Sequence, residues 1–325
     1  MGILVSINCI TYNHEKYIAE AIEGFLMQKT TFDYEILIGE DCSTDGTREI
    51  VEKYVKENPG KIKLITSEEN VGASKNSLRL LENSSGKYIA LCEGDDYWTD
   101  PFKLQKQVDY MEVHPECSLC FHAARIVRES GKELNSVFRP YSQDTISATE
   151  HIIGGGGEFC PTASLLFPRR LLKHIPDFIL RAHVGDYPLQ MWLSSIGYAY
   201  YVDEFMSVYR MGALGSWTMS QNFGHNVVEK IIKLKKADIN LLNDFNDYSN
   251  FKYNEPVEKT IMKKEFEILL VQKRIKEIKE SKYKQFFECM EVSQKSKIYM
   301  RCYFPKLYSS INFMKRNILD KVGIK

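Results

Sequence analysis

The sequence predicts an α/β protein built on a doubly wound, mostly parallel sheet that is flanked by helices. Two observations lead to this fold class. Over the first 110 residues, short runs of β-branched and apolar residues alternate four times with segments of helical periodicity. A polar turn segment also follows each run, as expected where the strands of a parallel sheet end. With 325 residues, 44% of them hydrophobic, the chain can bury a core of that size.

Each element of this first region has a local signal. The strands are runs rich in Ile, Val and Leu, and the first helix presents the apolar stripe Ile18, Ile22 and Phe25. In chain order we predict strand 3–10, helix 15–28, strand 34–39, a helix capped by Ser43 or Thr44, strand 62–66, helix 73–82 and strand 88–92.

A second region follows the Asp100-Pro101 step, which predicts the start of a helix that ends near Val113. The elements predicted beyond it are strands near 118–127 and 163–167, a helix near 187–196 and a strand near 198–202. From about Gln221 the helical pattern continues to the end of the chain. The run Gly154–Gly157 is followed by neither a lysine nor a helix start, so it predicts a mobile loop rather than a phosphate-binding loop.

Charge and composition exclude several classes of protein. The formal net charge is zero, but residues 251–325 carry 18 Lys and Arg against 9 Asp and Glu, so the preceding part is acidic. An acidic body argues against nucleic-acid binding. No run of roughly 18 apolar residues is present and the N-terminus lacks the order of a secretory signal, so we expect a cytoplasmic protein without a membrane span. The eight cysteines lie in unrelated contexts, which is typical of reduced thiols.

Ligands of such sheets bind beyond the carboxyl ends of the strands, so the segments that follow the strands carry the candidate site. These segments are Thr11-Tyr12-Asn13, Glu40 to Gly46, Glu68 to Gly72 and Glu93 to Asp96. Three of the four are acidic. No GxGxxG follows the first strand and no GK-[ST] loop is present, which argues against a dinucleotide site and a P-loop.

The segment Glu93-Gly94-Asp95-Asp96 places three carboxylates within four residues at the end of an apolar strand. Like charges at this spacing repel one another unless a cation or strong donors offset the repulsion. Mg²⁺ or Mn²⁺ bound by one or two carboxylates, phosphate oxygens and water fits this pattern, and Gly94 would let a diphosphate approach the backbone. The alternative is a solvated acidic turn that caps the next helix.

Asp41 is the second candidate. A carboxylate at a strand end can accept a hydrogen bond from the imide of a uracil or from ribose hydroxyls. The polar residues around it, Asp45 and Gly46 above all, are equally consistent with ordinary turn and cap chemistry.

Taken together, these motifs resemble family 2 of the glycosyltransferases. The resemblance rests on the order and spacing of several segments over about the first 115 residues, and it continues more loosely to about residue 217: Val5-Ser6-Ile7, Thr11-Tyr12-Asn13, Tyr17-Ile18, Glu35 to Ile38, Glu40 to Thr47, Asn70-Val71-Gly72, Gly86 to Ala90 and Asp95-Asp96. It implies a GT-A type fold, an inverting single displacement, a nucleotide-diphosphate sugar donor and a divalent cation.

The resemblance also implies roles for individual residues. The implied nucleotide-binding residues are Thr11, Tyr12, Asn13, Asp41, Lys75 and Asp95. Asp95 and Asp96 would form the metal and diphosphate site together with Glu93, which stands where the family more often has Asp and is longer by one methylene. The longer side chain changes the position of the carboxylate, so direct binding of the metal by Glu93 does not follow from the resemblance.

The resemblance extends to the acceptor half. Asp186, ahead of the helix near 187–196, matches the family's catalytic base, which takes the proton of the acceptor hydroxyl. The alternative is an Asp N-cap before a proline-containing first turn, and the two roles are compatible. Arg210 and Trp217 match a flap over the diphosphate, although Met211 and Gly212 replace the histidine often found there. The Gln-x-x-Arg-Trp signature of processive synthases is absent, which favours addition of a single sugar.

The expected organisation is a GT-A type glycosyltransferase domain at 1–217, with a nucleotide-sugar-binding half at 1–115 and an acceptor half at 116–217, followed by a helical, basic region at 218–325. A charged helix is predicted at 254–280 and an amphipathic basic helix from Pro305. The latter could pack on the catalytic body, mediate self-association or contact an anionic membrane at the inner face of the plasma membrane.

The function expected from the sequence is therefore inverting transfer of one sugar, with UDP as the expected nucleotide. The acceptor would be a cell-surface polysaccharide, a lipopolysaccharide or another glycoconjugate, free or lipid-linked. The competing interpretation is a non-catalytic nucleotide-sugar-binding or assembly subunit of the same fold, which the Glu93 and Met211 departures suggest. A nucleotidyltransferase would need a glycine-rich basic loop after the first strand, where Thr11 to His14 stand instead.

Overall fold

A ten-stranded sheet organises the first part of the chain in the computed structural model, which describes residues 2–213 and 226–308. Its strands are β1 (Val5–Thr11), β2 (Tyr34–Glu40), β3 (Ile62–Thr66), β4 (Tyr88–Leu91), β5 (Tyr97–Trp98), β6 (Cys117–Arg128), β7 (Glu133–Phe138), β8 (Thr145–Ser147), β9 (Leu166–Pro168) and β10 (Tyr198–Met211). The described residues divide into two compact units, 2–213 with 243–253 and 226–242 with 254–308.

The strands lie in the order β3-β2-β1-β4-β9-β6-β10-β5, with β7 on β6 and β8 on β10. β1 pairs in parallel with β2 and β4, and β2 with β3. β9 runs antiparallel to both of its neighbours, so β6 and its parallel partner β10 share the direction of β4. Six strands therefore end at one edge of the sheet, and the predicted fold class, a mostly parallel α/β sheet flanked by helices, is confirmed.

The helices of this unit are α1 (Ile18–Leu26), α2 (Thr47–Glu57), α3 (Ala73–Asn83), α4 (Lys103–Val113), α5 (Thr149–Gly155), α6 (Asp177–Leu180) and α7 (Asp186–Ile196). The apolar stripe predicted for the first helix is buried, with Ile18, Ile22 and Phe25 fully covered. These side chains join one core cluster with strand residues such as Ile7 and Ile36. Burial of such side chains, about 1.5–3 kcal/mol each, fixes the helix on the sheet.

Three predicted helix starts differ from the structure. The helix predicted to start at the Asp100-Pro101 step begins at Lys103, with Phe102 at its N-cap. Helix α1 begins at Ile18 rather than residue 15, because the backbone at Asn13 has a positive φ of 56° and residues 14–17 form a turn. Helix α2 begins at Thr47, with Gly46 at its N-cap, so the expected cap by Ser43 or Thr44 is wrong. Those two residues instead contact Asn13, and Asp45 Oδ1 accepts the Thr47 N–H at 3.0 Å.

The later part of the first unit holds two strands that the sequence did not predict, β7 and β8. Both pair with longer strands at the rim, and their burial is low, so they carry little apolar signal. The strand predicted near 198–202 continues to Met211. Half of the glycine run was also wrongly predicted as a loop, because Gly154 and Gly155 form the end of α5.

The second unit is helical. Its helices are α8 (Val227–Tyr248), whose last residues belong to the first unit, α9 (Asn254–Val271), α10 (Ile275–Ile278), α11 (Lys284–Glu288) and α12 (Val292–Tyr303). A small core forms around Phe266, Leu269 and Ile278. The single helix predicted at 254–280 is interrupted after Val271, where Lys273 has a φ of 62°. None of the helices that the structure describes has both the length and the apolarity of a membrane span.

Candidate active site

The acidic loop follows β4 at the edge where the six parallel strands end. The Gly94 N–H donates to Ile10 O at 3.0 Å, which fixes the loop to β1, and the Asp96 N–H donates to Glu93 O at 3.1 Å within the loop. β5 then pairs with β10, which brings the loop beside the end of β10 at Arg210. The loop therefore lies between the ends of β1 and β10.

Gly94 has no room for a side chain. A Cβ atom there would lie 2.7 Å from Thr11 Oγ1 and 3.0 Å from His14 Nδ1. The glycine lets the acidic loop pack against the end of β1, which differs from the expected role of admitting a diphosphate. His14 is buried, and its burial lowers the pKa of the imidazole despite the carboxylates of Asp95 and Asp45.

Asp96 is directed into the protein. Its side chain is buried, and Oδ1 accepts the backbone N–H of Arg210 at 2.8 Å. Burial, followed by the charges of Asp95 and Glu93, raises the pKa of Asp96 well above its usual range. Asp96 thus anchors the loop to β10.

Glu93 connects the two halves of the site. Burial raises the pKa of its carboxyl to about 8, and the charges of Asp95 and Asp186 add to the shift. The effect of Asp186 means that the carboxylate expected to act as base lies near the acidic loop, although 92 residues separate the two in the sequence. The fold thus gathers three acidic side chains at one place.

Asp95 differs from Asp96 in the contacts of its side-chain oxygens. Within residues 2–213 and 226–308, no protein donor bonds to them. In the same ranges, no three His, Cys, Asp or Glu side chains converge as a complete metal site, so Glu93, Asp95 and Asp96 do not form a three-carboxylate cage. The arrangement fits a divalent cation held by one or two carboxylates and otherwise by phosphate oxygens and water.

Arg210 is fixed by the protein on all sides. Its Nε donates to Asp95 O at 3.1 Å, and its guanidinium forms an ion pair with Glu20. The guanidinium carbon lies 5.0 Å from the ring centre of Tyr17 and 5.3 Å from that of Tyr97. This geometry makes Arg210 an anchor of the acidic loop; its contact with a diphosphate stays a prediction. Trp217, the other predicted flap residue, lies outside the described residues.

Asp41 has a similar anchoring position at the end of β2. Its two oxygens accept the backbone N–H groups of Val71 at 2.9 Å and Gly72 at 2.8 Å, and Ser67 donates to Oδ1 at 3.2 Å. Arg79 adds an ion pair at 3.5 Å. Asp41 therefore holds the segment ahead of α3, and little of its capacity remains for a base or ribose.

The other predicted nucleotide-binding residues surround this edge. Asn13 Oδ1 accepts the Thr44 N–H at 2.8 Å, and the Asn13 N–H donates to Ser43 Oγ at 3.0 Å, which joins the loops after β1 and β2. Thr11 is buried, Tyr12 is half-buried and Lys75 is exposed in the first turn of α3. The loops are thus brought together, while contact with a nucleotide stays a prediction.

Asp186 is the first residue of α7, and the N-cap is Gly185, which has no side-chain cap. Asp186 is therefore not the N-cap residue of α7, in contrast to the alternative prediction. Asp186 Oδ1 accepts the N–H of Tyr187 at 2.8 Å. The positive end of the helix dipole therefore lies close to this carboxylate.

Sequence reasoning missed Tyr17 and Glu20 as site residues. Both contact Arg210, and their spacing of three residues places them on one side of the chain as it enters α1. The signal for them was this spacing next to the end of the first strand, but only the tertiary structure supplies their partner.

Comparisons with known proteins agree with this fold. The model of the family described as Glycosyl transferase family 2 matches residues 6–175. An uncharacterized protein of Mycobacterium tuberculosis (strain ATCC 25618 / H37Rv) is 37% identical over 213 residues, which cover 66% of this chain and 60% of that protein. The match thus spans about three fifths of the mycobacterial relative. The putative teichuronic acid biosynthesis glycosyltransferase TuaG of Bacillus subtilis (strain 168) is 30% identical over 212 residues, covering 64% of this chain and 79% of TuaG.

Solved structures support the same fold at lower identity. The crystal structure of S. aureus TarS 1–349 in complex with UDP-GlcNAc has a TM-score of 0.55 and 17% identity, covering 83% of this chain and 81% of TarS 1–349. The mannosyltransferase PcManGT from Pyrobaculum calidifontis, in complex with GDP-Man and Mn²⁺, has a TM-score of 0.52 and 12% identity, covering 93% of this chain and 87% of PcManGT. These likenesses establish the GT-A type fold.

Proposed function

This chain belongs to glycosyl transferase family 2, and we propose that it transfers a single sugar, with inversion, from a nucleotide-diphosphate sugar to a hydroxyl of a saccharide acceptor. The observation that carries the proposal is the acidic loop 93–96 at the carboxyl edge of the sheet, where Asp96 accepts the backbone N–H of Arg210 and the side-chain oxygens of Asp95 receive no hydrogen bond from the described residues. In open α/β sheets this edge is where ligands bind.

We propose Mg²⁺ or Mn²⁺ as the cofactor, with Asp95 as its main protein ligand. Asp95 fits because its oxygens receive no bond from the described residues, whereas Asp96 is committed to the backbone of Arg210. A bound cation supplies positive charge that offsets the charge developing on the leaving diphosphate. It would also offset the repulsion that raises the pKa of Glu93.

Asp186 is proposed as the general base. An inverting displacement needs a carboxylate that accepts the proton of the acceptor hydroxyl while the oxygen attacks the anomeric carbon opposite the leaving group. Asp186 lies in the first turn of α7, where the positive end of the helix dipole is close to its carboxylate. The anchors Asp41, Asp96 and Arg210 hold the loops around it and limit movement during the reaction.

A UDP-sugar is proposed as the donor. The structural relative TarS was crystallised with UDP-GlcNAc, and PcManGT with GDP-Man, so the fold accommodates either nucleotide. A hydroxyl of a cell-surface polysaccharide, lipopolysaccharide or other glycoconjugate is proposed as the acceptor. The name of TuaG, which refers to teichuronic acid, is consistent with an envelope polymer.

A peripheral membrane contact through the C-terminal helices is part of the proposal. In the described part of this region, residues 292–308 expose Val292, Tyr303, Phe304 and Leu307 and carry four Lys and Arg but no Asp or Glu. Apolar and aromatic residues among cations favour anionic lipid surfaces. The full chain should cosediment with vesicles that contain phosphatidylserine, whereas the form ending at residue 291, which lacks this surface, should not; equal cosedimentation of the two forms contradicts the contact.

The competing function is a non-catalytic nucleotide-sugar-binding subunit. The anchoring of Arg210 to Glu20, which removes it from a direct chemical role, is the observation in its favour. Such a subunit would bind the donor without cleaving it. Slow donor hydrolysis that requires Mn²⁺ and is lost in Asp186→Asn would exclude this function.

The proposed function is tested by thermal shift with UDP, GDP and their sugars, each with and without Mn²⁺. Ligand at about 100 times its Kd should stabilise the protein by roughly 2.7 kcal/mol. Asp95→Asn should abolish the Mn²⁺-dependent part of the shift, while Asp109→Asn, at an exposed position of α4, should retain it. No shift with any nucleotide and cation would contradict the proposed function.

A further inference from the structure

Helix α7 holds the glycine-rich segment Gly154–Gly157 through three hydrogen bonds. The Tyr187 hydroxyl donates to Ile153 O at 2.6 Å, just before the segment. Gln190 Nε2 donates to the carbonyl oxygen of Gly157, the last residue of the segment, at 3.2 Å. It also donates to Cys160 O, three residues further along, at 2.8 Å. The glycine-rich segment is therefore secured at both ends by side chains from the helix that begins with Asp186.

The buried side chain of Gln190 bonds only to the backbone around the glycine-rich segment in the described part of the chain. Its side chain is fully buried, and its Oε1 has no hydrogen-bond partner among the residues that the structure describes. A buried carbonyl oxygen without a partner costs about 1–3 kcal/mol. The two N–H groups of the same amide donate to the carbonyl oxygens of Gly157 and Cys160.

Gly157 lies against the carboxylate of Asp186. A Cβ atom at this position would lie 3.3 Å from Oδ2 and 3.6 Å from Oδ1 of Asp186. Asp186 and Gln190 are four residues apart on α7 and share one face of the helix. The same face thus presents the carboxylate and fixes the backbone that runs beside it.

Gly155 packs against Phe159, since a Cβ atom at this glycine would lie 2.4 Å from Cδ2 of that side chain. Gly154 and Gly156 differ, because among the residues that the structure describes their Cβ atoms would meet no other atom within 4 Å. Gly156 has a φ of 73°, which favours glycine. A stretch of bare backbone beside a carboxylate allows the close approach of a bulky, hydroxyl-rich ring. Its peptide groups can also exchange hydrogen bonds with hydroxyls.

Resting on the proposed function, we propose that the backbone of Gly156 and Gly157 is the wall of the acceptor subsite beside Asp186, and that Gln190 is the positioning residue that holds this wall. The ligand class is a saccharide hydroxyl with its ring against the backbone of these two glycines. Gln190 acts through Gly157 and touches no reacting atom. Gly156 and Gly157 set the space in which an acceptor, or a water molecule in its absence, meets the base, whereas Gly154 lies outside this wall.

The chain offers a matched pair of glycine variants to test this. Gly157→Ala adds a methyl group against the Asp186 carboxylate, whereas Gly154→Ala adds one into open space at the end of α5. Hydrolysis of the UDP-sugar with Mn²⁺, which uses water in place of the acceptor, gives the rate, and calorimetry with UDP and Mn²⁺ gives the donor Kd. Displacements of about 1 Å at a reacting group cost on the order of 100-fold in rate.

We expect Gly157→Ala to lower kcat for hydrolysis by about 10- to 100-fold with an unchanged Kd for UDP. Gly154→Ala should stay within about twofold of the wild type. Gln190→Leu, which fills the same space without donating, should reproduce the loss of rate with the donor Kd retained; it serves in place of Gly157→Ala if that variant does not fold. Equal rates for folded Gly157→Ala and Gly154→Ala, or a normal rate for Gln190→Leu, overturn the inference. A wild type that neither binds nor hydrolyses nucleotide sugars overturns the proposed function instead.

Discussion

The backbone N–H of Arg210 donates a hydrogen bond of 2.8 Å to Oδ1 of Asp96, which joins the last strand of the sheet to the acidic loop. The Arg210 side chain adds a second link, from Nε to Asp95 O at 3.1 Å. One residue thus fixes two consecutive positions of the loop, and the ion pair with Glu20 fixes Arg210 itself. The geometry of the proposed metal site therefore depends on β10 and on the start of α1.

Replacing Arg210 should weaken both stability and activity. Arg210→Ala removes the hydrogen bond to Asp95 O, the ion pair with Glu20 and the contacts with the rings of Tyr17 and Tyr97. We expect the free energy of unfolding to fall by about 2–4 kcal/mol, since charged hydrogen bonds contribute about 1.5–3 kcal/mol and cation–π contacts about 1. Urea denaturation measures the loss, and calorimetry with UDP and Mn²⁺ should show weaker donor binding.

Arg181 provides the control for this substitution. Its side chain is 71% exposed and its nearest carboxylate, that of Asp244, lies 4.0 Å away. Arg181→Ala should change the free energy of unfolding by less than about 0.5 kcal/mol. Equal effects of the two substitutions would contradict the anchoring role of Arg210.

Asp41→Asn should loosen the segment ahead of α3. The amide group of asparagine would place a donor against the N–H of Val71 or Gly72, where the carboxylate now accepts both bonds. The expected loss is about 2–3 kcal/mol, because a buried N–H loses a charged partner. Hydrogen exchange at residues 67–72 should accelerate, whereas Asp33→Asn, at an exposed position, should leave it unchanged. Unchanged protection in Asp41→Asn would contradict the prediction.

The sequence was sufficient to locate the edge of the sheet that carries the site. Strand and helix periodicities are local signals, and they placed β1, β2 and β4 within a few residues of their observed ends. Because parallel strands end together, Thr11, Asp41 and the acidic loop were predicted at one edge before any coordinate was known.

A local sequence pattern does not identify the hydrogen-bond and ion-pair partners of these residues. Arg210 and Glu20 are separated by 190 residues, and Asp41 and Gly72 by 31, so no periodicity relates them. The sequence therefore indicated a ligand role for Arg210 and Asp41 but not their contacts within the protein. The predicted cap by Ser43 or Thr44 was wrong for the same reason, because both residues form hydrogen bonds with Asn13 from another loop.

Asp186→Asn should separate binding from chemistry. Asparagine keeps the shape of the side chain and can still accept the Tyr187 N–H, but it cannot take a proton from an acceptor hydroxyl. We expect the Kd for UDP with Mn²⁺ to stay within about twofold and the transfer rate to fall by about 10²- to 10⁴-fold. Asp177→Asn, at the first residue of α6, is the matched control and should remain active. A near-normal rate for Asp186→Asn would show that another group acts as base.

Lys103 should make the stability of the protein depend on pH, and replacing this one residue should remove its contribution. Its side chain is fully buried, Nζ donates to Gln107 Oε1 at 2.7 Å and lies 4.1 Å from the ring centre of Trp98. Burial lowers the pKa of Lys103 to about 7, although the nearby thiols of Cys92 and Cys120 act in the opposite direction.

The sign of the pH effect follows from proton binding. Between pH 7 and about 10.4, the unfolded chain holds a proton on Lys103 that the folded protein has released, so this group makes the fold more stable as pH rises. Lys103→Met lacks the effect. The stability of the wild type relative to Lys103→Met should therefore increase from pH 7 to pH 9.5, by on the order of a few kcal/mol. Urea denaturation of both proteins at these two pH values measures the difference. Parallel stability curves for the two proteins would mean that the buried amine keeps its proton over this range.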